Sequence, residues 1–509
     1  MIIFGVSLTV LAVLVVGIAV ARKIDGDSAN YLVAGRRLGV PLVSVSLTAA
    51  AVDSNATVGN TDLTSQFGFW AGASLAIGLA ICLLLAGLFL ARPMNRMNLM
   101  TLGDFFRLRY GRGVEVAASI LMIFSFTILL AGNLVAGGFL LEHFARIPYA
   151  VGVVLMVVLV LAYTVGGGLF SDAYTAAIQM TITVIAAVSL LIWTVVAFNG
   201  LSIPEGMGPF DLEQLTSADA GAPINWATLL SLGIGDLVAI DFMQRIFGAK
   251  SPQVAQRACY IGAGVTAAIG TIFALVSLTV TSVLGLTADN GPILFQLLSG
   301  YAPPLLAIVV LSGIVAASFS TASGAILATS AVAVRNVFAV RRMDERAAAE
   351  GRRDPLLRWT RLAMLPVVVI GSLLAVRVSQ TGILLTLAFD LMLAALAGPF
   401  LIGVFWKRPG RVAAASAMAV GVVSRVVLLV LTPTLYGVPN DLLYIPNSLL
   451  GAGADGWTTI IAAILGFGTY AVVGALRPRT VAEEAYEATS HEDLHEESGR
   501  FRVPEAVDA

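Results

Sequence analysis

Ala316-Ala317-Ser318-Phe319-Ser320-Thr321-Ala322-Ser323 lies at the centre of an apolar run from Pro303 to Phe338. The run is long enough to cross a bilayer, since roughly 20 helical residues span the ~30 Å hydrocarbon core. Its apolar part ends at Arg335, the first of eight arginines up to Arg361. Its middle is rich in hydroxyls and small side chains rather than leucines. Ala317, Ser320 and Thr321 stand at i, i+3 and i+4, so a helix presents them on one face. A carbonyl from Ala317 and hydroxyls from Ser320 and Thr321 are oxygens of the kind hard cations take. The stretch reads as half of a sodium site. The competing reading is structural, because Ser and Thr in membrane helices often bond back to a carbonyl of the preceding turn.

The chain around it has 509 residues, 58% hydrophobic and 12% charged. Soluble domains carry about 25% charged residues. With a mean hydropathy of +0.91, the reading is an all-α polytopic membrane protein. Thirteen spans are expected, at 2–21, 40–66, 70–91, 114–140, 149–166, 173–198, 227–247, 259–286, 302–334, 362–376, 382–405, 412–432 and 457–476. The first is expected to be a retained helix rather than a cleaved signal, since no small-residue cleavage site precedes Arg22-Lys23. Of the 30 Lys and Arg residues, all but Arg146, Arg377 and Arg425 fall on alternate segments. By the positive-inside rule this places the N-terminus outside, the C-terminus in the cytoplasm and the protein in the cytoplasmic membrane. Cys82 and Cys259 fall in or beside apolar spans and read as small core residues. Trp70 and Trp457 sit near span ends, as interfacial anchors do.

Two spans look broken. The second carries Ala51-Val52-Asp53-Ser54-Asn55-Ala56-Thr57-Val58-Gly59-Asn60, and the seventh carries Gly233-Ile234-Gly235-Asp236. Interrupted helices at matching positions point to inverted repeats with a binding site between them. The repeats would be 40–198 (spans 2–6) and 227–405 (spans 7–11). They would be flanked by an extra helix and loop at 1–39, two further helices over 406–478 and an acidic, disordered tail at 479–509. Unwinding the second span would free the carbonyls of Ala51 and Ser54 to complete the sodium site. Asp53, at mid-depth, must meet a cation, a proton or a cluster of donors; a salt bridge to Arg425 is the plainer alternative. Asp53, Asn55, Thr57, Gly235 and Asp236 are the expected substrate contacts.

Several segments resemble the sodium:solute symporter family. They are Thr101-Leu102-Gly103-Asp104-Phe105-Phe106 with Arg109-Tyr110-Gly111, then Tyr163-Thr164-Val165-Gly166-Gly167-Gly168-Leu169-Phe170-Ser171. Gln244-Arg245 with Ala249-Lys250-Ser251 follows, then the core at 316–321 with Ser330 and Arg335-Asn336. Some stretches are similar to the choline- and proline-transporter branches. The resemblance implies a leucine-transporter-like five-plus-five inverted repeat, Na+ as coupling ion, no organic cofactor and import of a small organic solute by alternating access. In the proline-carrying relatives an acid matches Asp53 and serves sodium and substrate binding. One departure matters. Many relatives have Thr-Asp where this chain has Thr175-Ala176, and that acid supports a second sodium in some of them. Asp172, four residues earlier, is then a displaced second-ion ligand or an inner-gate acid with Thr175, or else a solvated acid at a helix start.

Three acids, at 53, 172 and 236, suit a zwitterion or cation such as proline. Monocarboxylate, choline, urea, pantothenate and sugar remain alternatives, as does a transporter-like membrane sensor. No protein partner is evident. No nucleophile elbow, phosphate loop or His/Cys metal cluster argues for an enzyme, and the basic loops are explained by topology rather than by nucleic acid.

Overall fold

The computed structural model describes residues 2–21, 26–342, 354–378, 383–440 and 443–499. The chain runs through α1 (Ile2–Val20), α2 (Ser28–Val33), α3 (Val40–Ala51) and α4 (Asn60–Phe67). Next come α5 (Phe69–Arg96), α6 (Leu102–Tyr110), α7 (Arg112–Ala145) and α8 (Tyr149–Ala197). The second half holds α9 (Ala222–Gly233), α10 (Ile240–Gly248), α11 (Pro252–Leu284), α12 (Ile293–Gly300) and α13 (Pro304–Val337). It closes with α14 (Pro355–Arg377), α15 (Ile383–Phe405), α16 (Arg411–Leu431), α17 (Trp457–Leu476) and α18 (Val481–Gly499). A two-residue antiparallel pair, Thr434–Leu435 with Val438–Pro439, closes the loop after α16.

Local chemistry sets the helix starts. Pro252 and Pro355 stand in the first turns of α11 and α14, where a missing N–H costs nothing. Ser251 and Asp354 cap those helices by accepting from Val254 N and Leu356 N. Thr101 and Asp104 form a reciprocal capping box on α6. Wide turns at Ala333–Val337 and Leu393–Ile402 interrupt α13 and α15; the latter holds Pro399, which offers no N–H.

Among the described residues, ten helices are long and apolar enough to cross a membrane, or eleven if the bent pair α9 and α10 is one span. That count stands where thirteen was expected, and the difference has two sources. Span 40–66 is split between α3 and α4, each too short to cross. Spans 149–166 and 173–198 form one helical run of 49 residues, interrupted at Gly168. At ~1.5 Å per residue, 49 residues reach about 74 Å, enough for two crossings. Gly168 has φ +50°, and an added Cβ would meet the Tyr31 carbonyl oxygen at 2.4 Å. The Tyr31 hydroxyl in turn donates to the Thr164 and Val165 carbonyls at 3.0 and 3.2 Å.

The tail departs from expectation. Its residues 481–499 are helical, not disordered, and 500–509 lie outside the described residues. Thr480 and Glu483 cap each other's backbone N–H groups at 3.3 and 2.7 Å. Glu483 pairs with Arg411, Glu484 with Arg479, and Glu487 with Arg479, Arg109 and Lys407. The acids sit one turn apart, so a helix aims them at the basic ends of α6 and α16.

α13 lies at the centre, packed against α8, α7, α1 and α3. Its arginine-bearing end is fastened by a buried network. Arg335 Nε donates to both Asp104 oxygens at 2.9 Å. Asn336 accepts from Thr101 at 2.7 Å and donates to Glu115 at 2.9 Å. Gly168→Ala should cost about 1–3 kcal/mol, from strain at positive φ and the clash with Tyr31. A melting curve of the purified protein unmoved by this change would refute that account.

Candidate ion and solute site

α3 ends at Ala51 because Val52 turns to extended backbone (φ −91°, ψ 92°). A second half-span starts at Ser54 and runs through a wide turn at Asn55–Gly59 into α4. Asp53 sits at the junction, 1% exposed. Its carboxylate accepts from Asn55 N (2.9 Å), Ala56 N (2.8 Å), Asn55 Nδ2 (2.7 Å) and Asn133 Nδ2 (2.9 Å). The first two bonds cap the new half-span as an N-cap acid does. Asp53 is therefore met by a donor cluster. It makes no pair with Arg425, which bonds Asp390 instead.

On the facing helix, Thr321 Oγ1 lies 3.3 Å from the Ala49 carbonyl oxygen and 3.2 Å from that of Ala50. The break thus meets α13 at Thr321, through carbonyls one and two residues before Ala51. Ser320 Oγ is buried without a hydrogen-bond partner. Ala317 lies one turn before it on α13, 2% exposed. Ser54 is the exception: its hydroxyl donates to Asn133 Oδ1 at 3.1 Å, away from Thr321. Thr57 bonds back to the Asp53 and Ser54 carbonyls at 2.9 and 3.3 Å. Asn55 holds Asp53, so neither side chain stands ready for a solute.

The second break leaves α9 at Gly233, turns tightly through Gly235–Val238 and enters α10 after extended Ala239, a 49° bend. Gly235 lets the second break pack closely against α15. A Cβ there would lie 2.4 Å from the Phe389 carbonyl oxygen on α15. Asp236 is 1% exposed; among the described residues no N–H or O–H donor bonds either carboxylate oxygen, and the Cys82 thiol is its polar neighbour. At the arginine-poor end a cavity of about 280 Å³ opens between α4, α9, α15 and the loop after α16. Leu63, Phe67, Asn225, Thr228, Thr386 and Tyr436 line it. Thr228 is eight residues before Asp236, roughly 12 Å along a helix.

Asp172 is neither a solvated loop acid nor an open ion ligand. It is 2% exposed and accepts from Arg245 Nη2 at 2.8 Å and Ser323 Oγ at 2.7 Å. Thr175 bonds back to the Ser171 and Asp172 carbonyls at 2.8 and 3.1 Å, so its hydroxyl is occupied. Two partners escaped the sequence reading. Asn133 was detectable as a lone amide in an apolar span. Arg245 was counted with the loops, yet it is fully buried.

Broken helices whose freed carbonyls face a Ser/Thr-bearing helix define a secondary transporter of the sodium-coupled, leucine-transporter-like class. The solved structures agree on that fold. A Na+-coupled sialic acid symporter in a substrate-bound, outward-open state aligns with TM-score 0.71 at 18% identity, covering 94% of this chain and 99% of that one. Mhp1, a nucleobase-cation-symport-1 family transporter, aligns at 0.57 with 15% identity, covering 90% and 98%. The sodium:solute symporter family model matches residues 31–421, and the chain belongs to that family. Relatives include the sodium/pantothenate symporter of Escherichia coli strain K12, 25% identical over 85% of this chain and 92% of that protein. The high-affinity proline transporter PutP of Bacillus subtilis strain 168 is 25% identical over 79% of this chain and 86% of that protein.

Asn133→Leu strips one donor from Asp53 and the partner from Ser54. It should destabilise the fold by about 1–3 kcal/mol, the cost of orphaned buried polar groups. Unchanged thermal unfolding would show that these bonds contribute nothing.

Proposed function

We propose that the chain imports a small organic solute together with Na+, and that Na+ binds between the first helix break and α13. The carrying observation is the approach of Thr321 to the Ala49 and Ala50 carbonyls, at a break where backbone oxygens have lost their helical partners. In this reading the ligands are those carbonyls with Ala51 and Ala317, and the hydroxyls of Ser320 and Thr321. Ser54 contributes structure rather than an ion ligand. The arginine-rich end faces the cytoplasm, with the N-terminus outside, and the cavity beside Thr228 and Thr386 is the outer vestibule. The two repeats, 40–198 and 227–405, rock about the site.

Asp236 narrows the solute class. Asp53 holds four donors and Asp172 holds Arg245, whereas Asp236 has only the weakly donating Cys82 thiol beside it among the described residues. A bare carboxylate in the membrane costs at least ~2.5 kcal/mol. An ammonium group on the solute would remove that cost, which favours an amino acid or another zwitterion or cation over a monocarboxylate or sugar.

Three outcomes follow. Ser320→Ala/Thr321→Ala should weaken the Na+ dependence of uptake in proteoliposomes at least tenfold, about 1.4 kcal/mol; full retention would move the ion site elsewhere. Asp236→Asn should abolish solute-induced thermal shifts for amines while Na+-induced shifts persist. Loss of both, or neither, would remove Asp236 from the solute site. One Na+ driven by ~100 mV and a tenfold gradient supplies about 3.7 kcal/mol, so a net-neutral solute should reach at most roughly 500-fold accumulation. A measured ratio well above that ceiling would require another coupled ion.

A further inference from the structure

Arg245 sits on α10 with its guanidinium wholly buried. It donates through Nη2 to Asp172 Oδ2 at 2.8 Å, and through Nε to Ser46 Oγ at 2.8 Å. Nη1 reaches the Asp241 carbonyl at 3.0 Å and Oδ2 of Asp241 at 3.2 Å. The other Asp172 oxygen accepts from Ser323 Oγ, which also bonds the Ser320 carbonyl at 2.9 Å. Gly324 makes the room, since a Cβ there would lie 2.8 Å from Nη2. One cation thus ties α3, α8, α10 and α13 together, one turn along α13 from Ser320 and Thr321.

A carboxylate, hydroxyls and a carbonyl gathered beside an ion site would ordinarily suit a second hard cation. Here the guanidinium already holds the acid, and Asp241's remaining oxygen accepts from Phe242 N at 2.7 Å. A second Na+ could bind only by displacing a side chain that is always charged. We propose that Arg245 is a tethered cation standing where a second coupling ion would bind, and that it fixes the transporter at one Na+ per cycle. Asp172 serves as its anchor. This rests on the Na+ reading above, and concerns how many ions move rather than whether one does.

The test is equilibrium binding of radioactive Na+ to the purified full-length protein in nanodiscs, which needs no solute. The wild type should bind one Na+ per chain with a Hill coefficient of one. Arg245→Gln should bind two, with a Hill coefficient above one. Adding Asp172→Asn should return the count to one, and Arg245→Lys should keep it at one. Two Na+ on the wild type, or one on a folded Arg245→Gln protein, would overturn the proposal. If Arg245→Gln does not fold, Ser320→Ala/Thr321→Ala decides. Binding should then vanish at the concentration that half-saturates the wild type, and saturable residual binding would reveal the second site denied here. No Na+ on the wild type at all would strike the sodium reading itself.

Discussion

A helix broken inside hydrocarbon leaves backbone groups without partners, and no water is there to replace them. Each such group costs several kcal/mol unless something in the protein or a ligand meets it. This chain breaks helices twice, at Val52–Asp53 and between Gly233 and Ile240, and treats the two differently. At the first break the N–H groups are met by Asp53, which Asn133 steadies from α7. The carbonyls of Ala49 and Ala50 face a single threonine hydroxyl, a weak partner easily replaced by a cation. At the second break the backbone is folded tightly against α15, and the weakly met group is a side chain, Asp236. In the proposed site the ion half is built in advance, while the solute half is left to be completed.

Buried ion pairs fasten the arginine-rich end of the molecule, while a further pair, Asp390 with Arg425, ties α15 to α16. Asp104 with Arg335, and Asp172 with Arg245, join helices far apart in sequence at or toward the arginine-rich end, and Asp241 holds Arg245 from within α10. Such pairs contribute little net stability, because desolvation offsets attraction; what they fix is which helices meet. The cavity lies at the opposite end, between α4 and α9, one half of each broken span. Open on one side and clamped on the other is one of the two forms that alternating access requires.

Much of this was legible. Apolar runs located the spans, the polar run at 51–60 and the glycine pair at 233–235 located the breaks, and Thr321 is on the helix face that meets the first break. The misses have physical causes. The first break is set by the backbone of Val52, with no glycine or proline to mark it, and the carbonyls that meet Thr321 are those of Ala49 and Ala50. Arg245 obeys the positive-inside pattern in sequence but points inward, because its partner Asp172 lies 73 residues away. The composition of the tail suggested disorder, since acids without apolar residues cannot build a core. They need none when a row of arginines on α6 and α16 awaits them.

The relation between α3 and α13 explains why ion binding and gating belong to one event. Two ties join these helices. One runs from the α3 carbonyls to Thr321, the place proposed for the exchangeable ion. The other runs from Ser46 through Arg245 and Asp172 to Ser323. Ser323 also bonds the carbonyl of Ser320, whose hydroxyl is assigned to the proposed ion site. Loss of the ion therefore loosens the same turn of α13 that holds the clamp. Only the exchangeable tie can draw energy from a gradient, since the tethered one never leaves the protein. The tethered tie instead sets the geometry against which the ion's departure is felt.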